Sequence, residues 1–171
     1  MKLFLKKPVF FELNFNKYNA TDETGRPVFK IRRKFFFFGC IQIYDSGNNC
    51  LGYLRERFSF MRPCFDLYFG DTYFGQLMGD KQFFSPNFLL DFQGWRIQGS
   101  FPDGYFRLVD ITGQLVATAE EQRMRFGGGS VSIGPRTYEI YIPDPENAPY
   151  AVLIICALDM ALHTAESDTA P

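Results

Sequence analysis

The stretch PYAVLIICALDMALH, Pro149–His163, decides the reading of this chain. Proline is tolerated in the first turn of a helix, and the alanines, leucines and methionine that follow are helix formers. A surface helix shows one apolar stripe, whereas this segment is apolar all round, which predicts a helix enclosed on every side. Its uninterrupted apolar run, Ala151–Leu158, is far shorter than the ~20 residues that cross a bilayer. The helix therefore needs a protein shell, and the rest of the chain must supply it.

Upstream the sequence reads as short alternating strands joined by tight turns. With Asp22 placed over Asp45, Arg32–Phe38 falls over Arg55–Met61; a further shift of the same size lays Leu51–Leu54 over Phe74–Leu77. At a longer offset Asp22-Glu23-Thr24-Gly25 falls over Asp110-Ile111-Thr112-Gly113. Such periods mark one supersecondary unit used repeatedly. The unit is a β-hairpin, with turns at Asp22–Gly25, Asp45–Gly47, Phe69–Asp71, Gln93–Gly94, Asp110–Gly113 and Asp144–Glu146. Six hairpins give about twelve strands of ordinary length. The expected fold is mainly β: a closed antiparallel barrel around a central hydrophobic C-terminal helix. One domain spans 1–164, and 165–171 is expected to be a disordered polar tail.

Composition narrows the chemistry. Of 171 residues, 18% are aromatic, with 21 Phe and a single His, which argues against a histidine metal site or a histidine general base. No Gly-x-Ser-x-Gly, His-Glu-x-x-His or Gly-x-Gly-x-x-Gly pattern occurs, and Gly127–Gly129 lacks the Gly-Lys-Ser/Thr of a phosphate loop. No enzyme activity, metal or cofactor is expected. Cys40, Cys50, Cys64 and Cys156 have no metal-ligand spacing and read as reduced thiols in a cytoplasmic protein.

Charge is divided unequally. Residues 1–62 carry twelve Lys/Arg against five Asp/Glu, a balance of +7; residues 63–171 carry six against fourteen, or −8. The basic part suggests an anionic partner. Nucleic acid is not expected, because the acidic remainder and a pI near 5.8 oppose a long polyanion. The candidate lipid- or anion-binding residues are Lys30, Arg32, Arg33, Lys34, Arg55 and Arg57. Phe35, Phe36, Phe37 and Phe38 follow the first cluster; four consecutive strand residues cannot all face inward, so some are candidates for membrane or partner contact. Asp159, in the apolar helix, reads as a structural polar group needing an Arg or backbone donors. His163 is placed at the helix C-terminus, where a cation complements the dipole.

Several segments together resemble the LURP-one-related family: Asp22–Ile31, the basic-to-aromatic run Arg32–Gly39, Trp95–Gly99 with Tyr105–Asp110, and Tyr138–Ile140 with Ala151–Leu162. Relatives of that family include the phospholipid scramblases and the tubby C-terminal domain. The resemblance covers about Leu3 to His163 and implies a twelve-stranded barrel around a hydrophobic helix. It also implies a binding module, non-enzymatic and peripheral to anionic lipid headgroups. Calcium dependence is not expected, since only Asp144 and Glu146 precede the helix. Two other readings stand beside it: a structural or protein–protein adaptor, or homodimer, using the Phe-rich strands, and a binder of a small apolar ligand.

Overall fold

The computed structural model describes residues 1–6, 17–35, 39–58, 62–79, 88–100, 103–122, 124–126, 129–131 and 137–167, the side chains of 35, 124–126, 129–131 and 163–167 apart. In chain order the strands are β1 (Lys2–Lys6), β2 (Lys17–Thr21), β3 (Pro27–Phe35), β4 (Gly39–Tyr44), β5 (Cys50–Glu56), β6 (Cys64–Phe69) and β7 (Thr72–Gly79). Then come β8 (Phe88–Asp91), β9 (Arg96–Ser100), β10 (Tyr105–Val109), β11 (Leu115–Glu121), β12 (Met124–Phe126), β13 (Gly129–Val131) and β14 (Thr137–Tyr141). A 3-10 turn, Pro145–Asn147, leads into the helix α1, Ala148–Ser167.

Twelve strands form one antiparallel sheet in the order β8-β7-β6-β5-β4-β3-β2-β1-β14-β11-β10-β9, and β12 pairs with β13 separately. The sheet curls until its two end strands, β8 and β9, approach one another through the turn at 92–95. The barrel is thus nearly closed. Alternation decides what faces in: Leu3 and Leu5, Tyr18 and Ala20, Phe29 and Ile31, Ile41 and Ile43 are buried while their neighbours are not. Those inward side chains meet α1, in which every residue from Ala151 to Ala161 is buried. The expected enclosed helix is present, and it occupies the barrel interior.

The turn chemistry repeats in three dimensions. Asp22 Oδ1 accepts from the Thr24 amide at 2.9 Å, the Thr24 hydroxyl at 2.6 Å and the Arg26 amide at 3.0 Å. Asp110 Oδ1 accepts from Thr112 N at 2.8 Å, Thr112 Oγ1 at 2.6 Å and Gln114 N at 2.9 Å. The closing glycines, Gly25 at φ +81° and Gly113 at φ +87°, take the left-handed conformation that an L side chain resists. The two hairpins, β2–β3 and β10–β11, are copies.

Three expectations need correction. Asp144–Glu146 is no hairpin turn: Asp144 caps the 3-10 turn, its side chain accepting from Glu146 N at 3.0 Å. Asp side chains stabilise both kinds of turn, so the local sequence does not separate them. Gln93–Gly94 does turn the chain, but β8 and β9 are the two ends of the sheet and share no ladder. Finally, α1 continues to Ser167, so residues 165–167 are helical rather than tail, and His163 lies inside the last turns rather than at the end.

Candidate functional site

Ladder register assembles the basic residues. On the outward face of β2–β7, one rung runs Lys17, Arg32, Gln42, Tyr53, Tyr68, Tyr73. The next runs Lys34, Cys40, Arg55, Asp66, Gln76, Asp91. On the other side of the first rung, Lys30 lies opposite Tyr44. Five cations from β2, β3 and β5 therefore share one face. Arg57 follows at the end of β5, its amide donating to Cys64 O at 2.8 Å.

Tyrosines hold two of these cations, Arg32 and Arg55, in place. The Arg32 guanidinium lies over the Tyr44 ring, 4.4 Å from its centre, and Tyr44 donates to Gln42 Oε1 at 2.9 Å. The Tyr53 and Tyr68 rings stack at 4.7 Å, and Tyr73 meets Tyr68 edge-on at 5.6 Å. Arg55 sits 5.6 Å from the Tyr68 ring centre, with Nη2 donating to the Tyr68 hydroxyl at 3.3 Å. A guanidinium over a ring face gains roughly 0.5–1 kcal/mol at exposed sites and loses little hydration. Desolvation pushes the Tyr53 and Tyr73 hydroxyls up, so both remain protonated donors. Lys30 is held differently, by Asn48 Oδ1 at 2.8 Å and Ser46 O at 3.1 Å.

Arg33 does not belong to this face. It follows Phe29 and Ile31 in the inward phase of β3, and its Nε is enclosed. Its charge reaches the Tyr18 hydroxyl inside the barrel. Arg32 and Arg33 are adjacent in sequence and opposite in facing, which alternation requires. Phe36, Phe37 and Phe38 lie outside the described residues, as does the side chain of Phe35.

The interior holds a second polar group of residues. Asp159, 3% exposed, accepts from the Tyr138 hydroxyl at 3.0 Å. The Tyr18 hydroxyl, pushed well up by burial and then by the Cys156 and Asp159 charges, stays protonated and donates to Cys156 Sγ at 3.7 Å. Tyrosines on β2 and β14, the strands that flank β1, thus bind α1 to one wall of the barrel. Among the described residues no three His, Cys, Asp or Glu are grouped to hold a metal, and no helix is long and apolar enough to cross a membrane.

The tyrosines of the outer face are what sequence reading missed. In a chain so rich in aromatics they pass for core. Their signal was phase: Tyr44, Tyr53 and Tyr68 each stand next to an inward residue, Ile43, Leu54 and Leu67 respectively, and so face outward.

A family model described as LURP-one-related matches residues 1–159. A crystal structure of an Arabidopsis thaliana protein is similar in fold, with a TM-score of 0.55 at 16% sequence identity, over 93% of this chain and 91% of that one. No curated protein gives a significant sequence match.

Proposed function

The chain belongs to the LURP-one-related family, and from that premise we propose that it is a non-enzymatic binding module. It docks on anionic membrane surfaces through the outward face of β2–β7. The observation that carries this reading is the interleaving of Lys17, Lys30, Arg32, Lys34 and Arg55 with Tyr44, Tyr53, Tyr68 and Tyr73 on one side of the barrel. Each basic residue held near an anionic bilayer contributes about 1 kcal/mol. Tyrosine rings suit the headgroup level, where an apolar body and a polar tip are both accommodated. The test is co-sedimentation with anionic and neutral vesicles over a salt series. Binding to anionic vesicles that fades as salt rises supports the reading, because surface charges are screened over about 8–10 Å at physiological ionic strength. Absence of binding at low salt contradicts it.

A further inference from the structure

Strand direction sorts the exposed charges along the barrel axis as well as around it. β2, β4, β6, β8, β10 and β14 all run toward one end, where the tight turns and the 3-10 turn close them. Glu23, Asp71, Asp91, Asp144 and Glu146 are exposed at that end. Its Arg26 is held by Asp22 at 3.2 Å, which leaves Arg96 as the other exposed cation there among the described residues.

The opposite end of β1–β6 is cationic. Lys6, Lys17, Lys34, Arg55, Arg57 and Arg62 are all exposed on it, and register sets Lys34 and Arg55 on either side of Cys40. Among the described residues, the exposed carboxylates of this end, Asp103 and Glu120, stand away from it on the β9–β11 side. Phe58 lies in sequence between Arg57 and Arg62. The Arg57 amide donates to Cys64 O at 2.8 Å, so Phe58 leaves the wall from a fixed point. It is 80% exposed, more than any other large apolar side chain among the described residues. At an anionic bilayer, cations take the headgroups while an adjoining ring enters the boundary between headgroups and acyl chains. Ile111, 73% exposed, lies instead at the acidic end, which anionic headgroups repel.

We infer that the barrel meets an anionic bilayer rim first: the cationic ends of β1–β6 lie on the headgroups, the Phe58 ring inserts among them, and the turn end points to water. The inference rests on the membrane-docking reading above and goes further by naming the inserted side chain and the orientation.

The experiment uses Phe58→Trp with mixed phosphatidylcholine–phosphatidylserine vesicles, the phosphatidylcholine brominated on its acyl chains. On binding, the new indole is expected to shift its emission to the blue and to be quenched by bromine. The wild-type protein is the control, because its one tryptophan, Trp95, is buried at the turn end and should show neither change. In co-sedimentation, Phe58→Ser is expected to weaken binding about tenfold, as partial burial of one ring would supply, while Ile111→Ser binds as the wild type does. Sedimentation of Phe58→Trp with vesicles but without shift or quenching overturns the insertion and leaves membrane docking intact. Equal binding by Phe58→Ser and Ile111→Ser does the same. A blue shift that grows with protein concentration in the absence of vesicles assigns Phe58 to a contact between copies and overturns the inference. No sedimentation with vesicles by the wild-type protein at low salt overturns the docking reading itself.

Discussion

At the scale of single residues, the barrel separates neighbours that the sequence presents as one cluster. Arg32 lies on the Tyr44 ring outside; Arg33 has its Nε enclosed inside. Arg32→Ala is expected to weaken binding to anionic vesicles about fivefold, the loss of roughly 1 kcal/mol, with the melting temperature unchanged. Arg33→Ala is expected to lower the melting temperature while the folded protein binds vesicles as before. Vesicle titration and thermal melts on both variants check this, and the reverse pattern would contradict the facing of β3. The turn aspartates make a second prediction. Side-chain hydrogen bonds from Thr24, Asn49 and Thr112 respectively hold Asp22, Asp45 and Asp110 below the usual carboxylate range. A carboxylate with a depressed folded pKa stabilises the fold above its unfolded value and loses that contribution as pH falls through the folded value. Stability should therefore drop below about pH 4, and the paired change Asp22→Asn with Asp110→Asn, which keeps an acceptor oxygen, should flatten that drop in a series of melts against pH.

At the scale of elements, α1 is the core. Truncating a fully buried helix residue such as Leu153 to Ala costs about 2–5 kcal/mol through lost contacts and the cavity left behind. In a domain of this size the melting temperature should fall by on the order of 10 °C. The two glycines Gly25 and Gly75 give a sharper contrast. A Cβ on Gly25 would meet nothing within 4 Å, so Gly25→Ala carries only the strain of its positive φ, about 1–2 kcal/mol. A Cβ on Gly75 would lie 1.7 Å from the Asp91 carbonyl oxygen, so Gly75→Ala forces β8 off β7. Soluble yield and urea denaturation should rank the two clearly, and equal behaviour would contradict the β7–β8 register. These elements also show how far the sequence could be read. The helix was legible because it is apolar all round, and five of the six turns because Asp, Asn and Gly supply acceptors and positive φ locally. The pairing of β1 with β14, residues 2–6 against 137–141, was not legible, since nothing local encodes a contact between the two ends of a chain. The site was half legible: its cations are conspicuous in sequence, but its tyrosines show only once strand phase is fixed.

At the scale of the whole molecule, the repeat explains why one side of the barrel is basic and the other is not. The hairpin β2–β3 carries Arg32 outward and Arg33 inward; at the corresponding positions of its copy, β10–β11, Glu120 is exposed and Glu121 is buried. The same architecture therefore presents cations on one wall and a carboxylate on another, so the basic face is a property of these residues rather than of the hairpin. The sheet order places β9 six strands from β3 in either direction around the barrel, and Arg96 at the start of β9 is exposed. That geometry supplies the most direct test of the account, in which the face of β2–β7 and not overall charge meets the membrane. Arg32→Glu and Arg96→Glu change the net charge equally on opposite walls, and both can be titrated with anionic vesicles at one salt concentration. The account predicts that Arg32→Glu weakens binding about tenfold or more, while Arg96→Glu stays close to the wild type. Equal weakening by both, or a loss confined to Arg96→Glu, would contradict it.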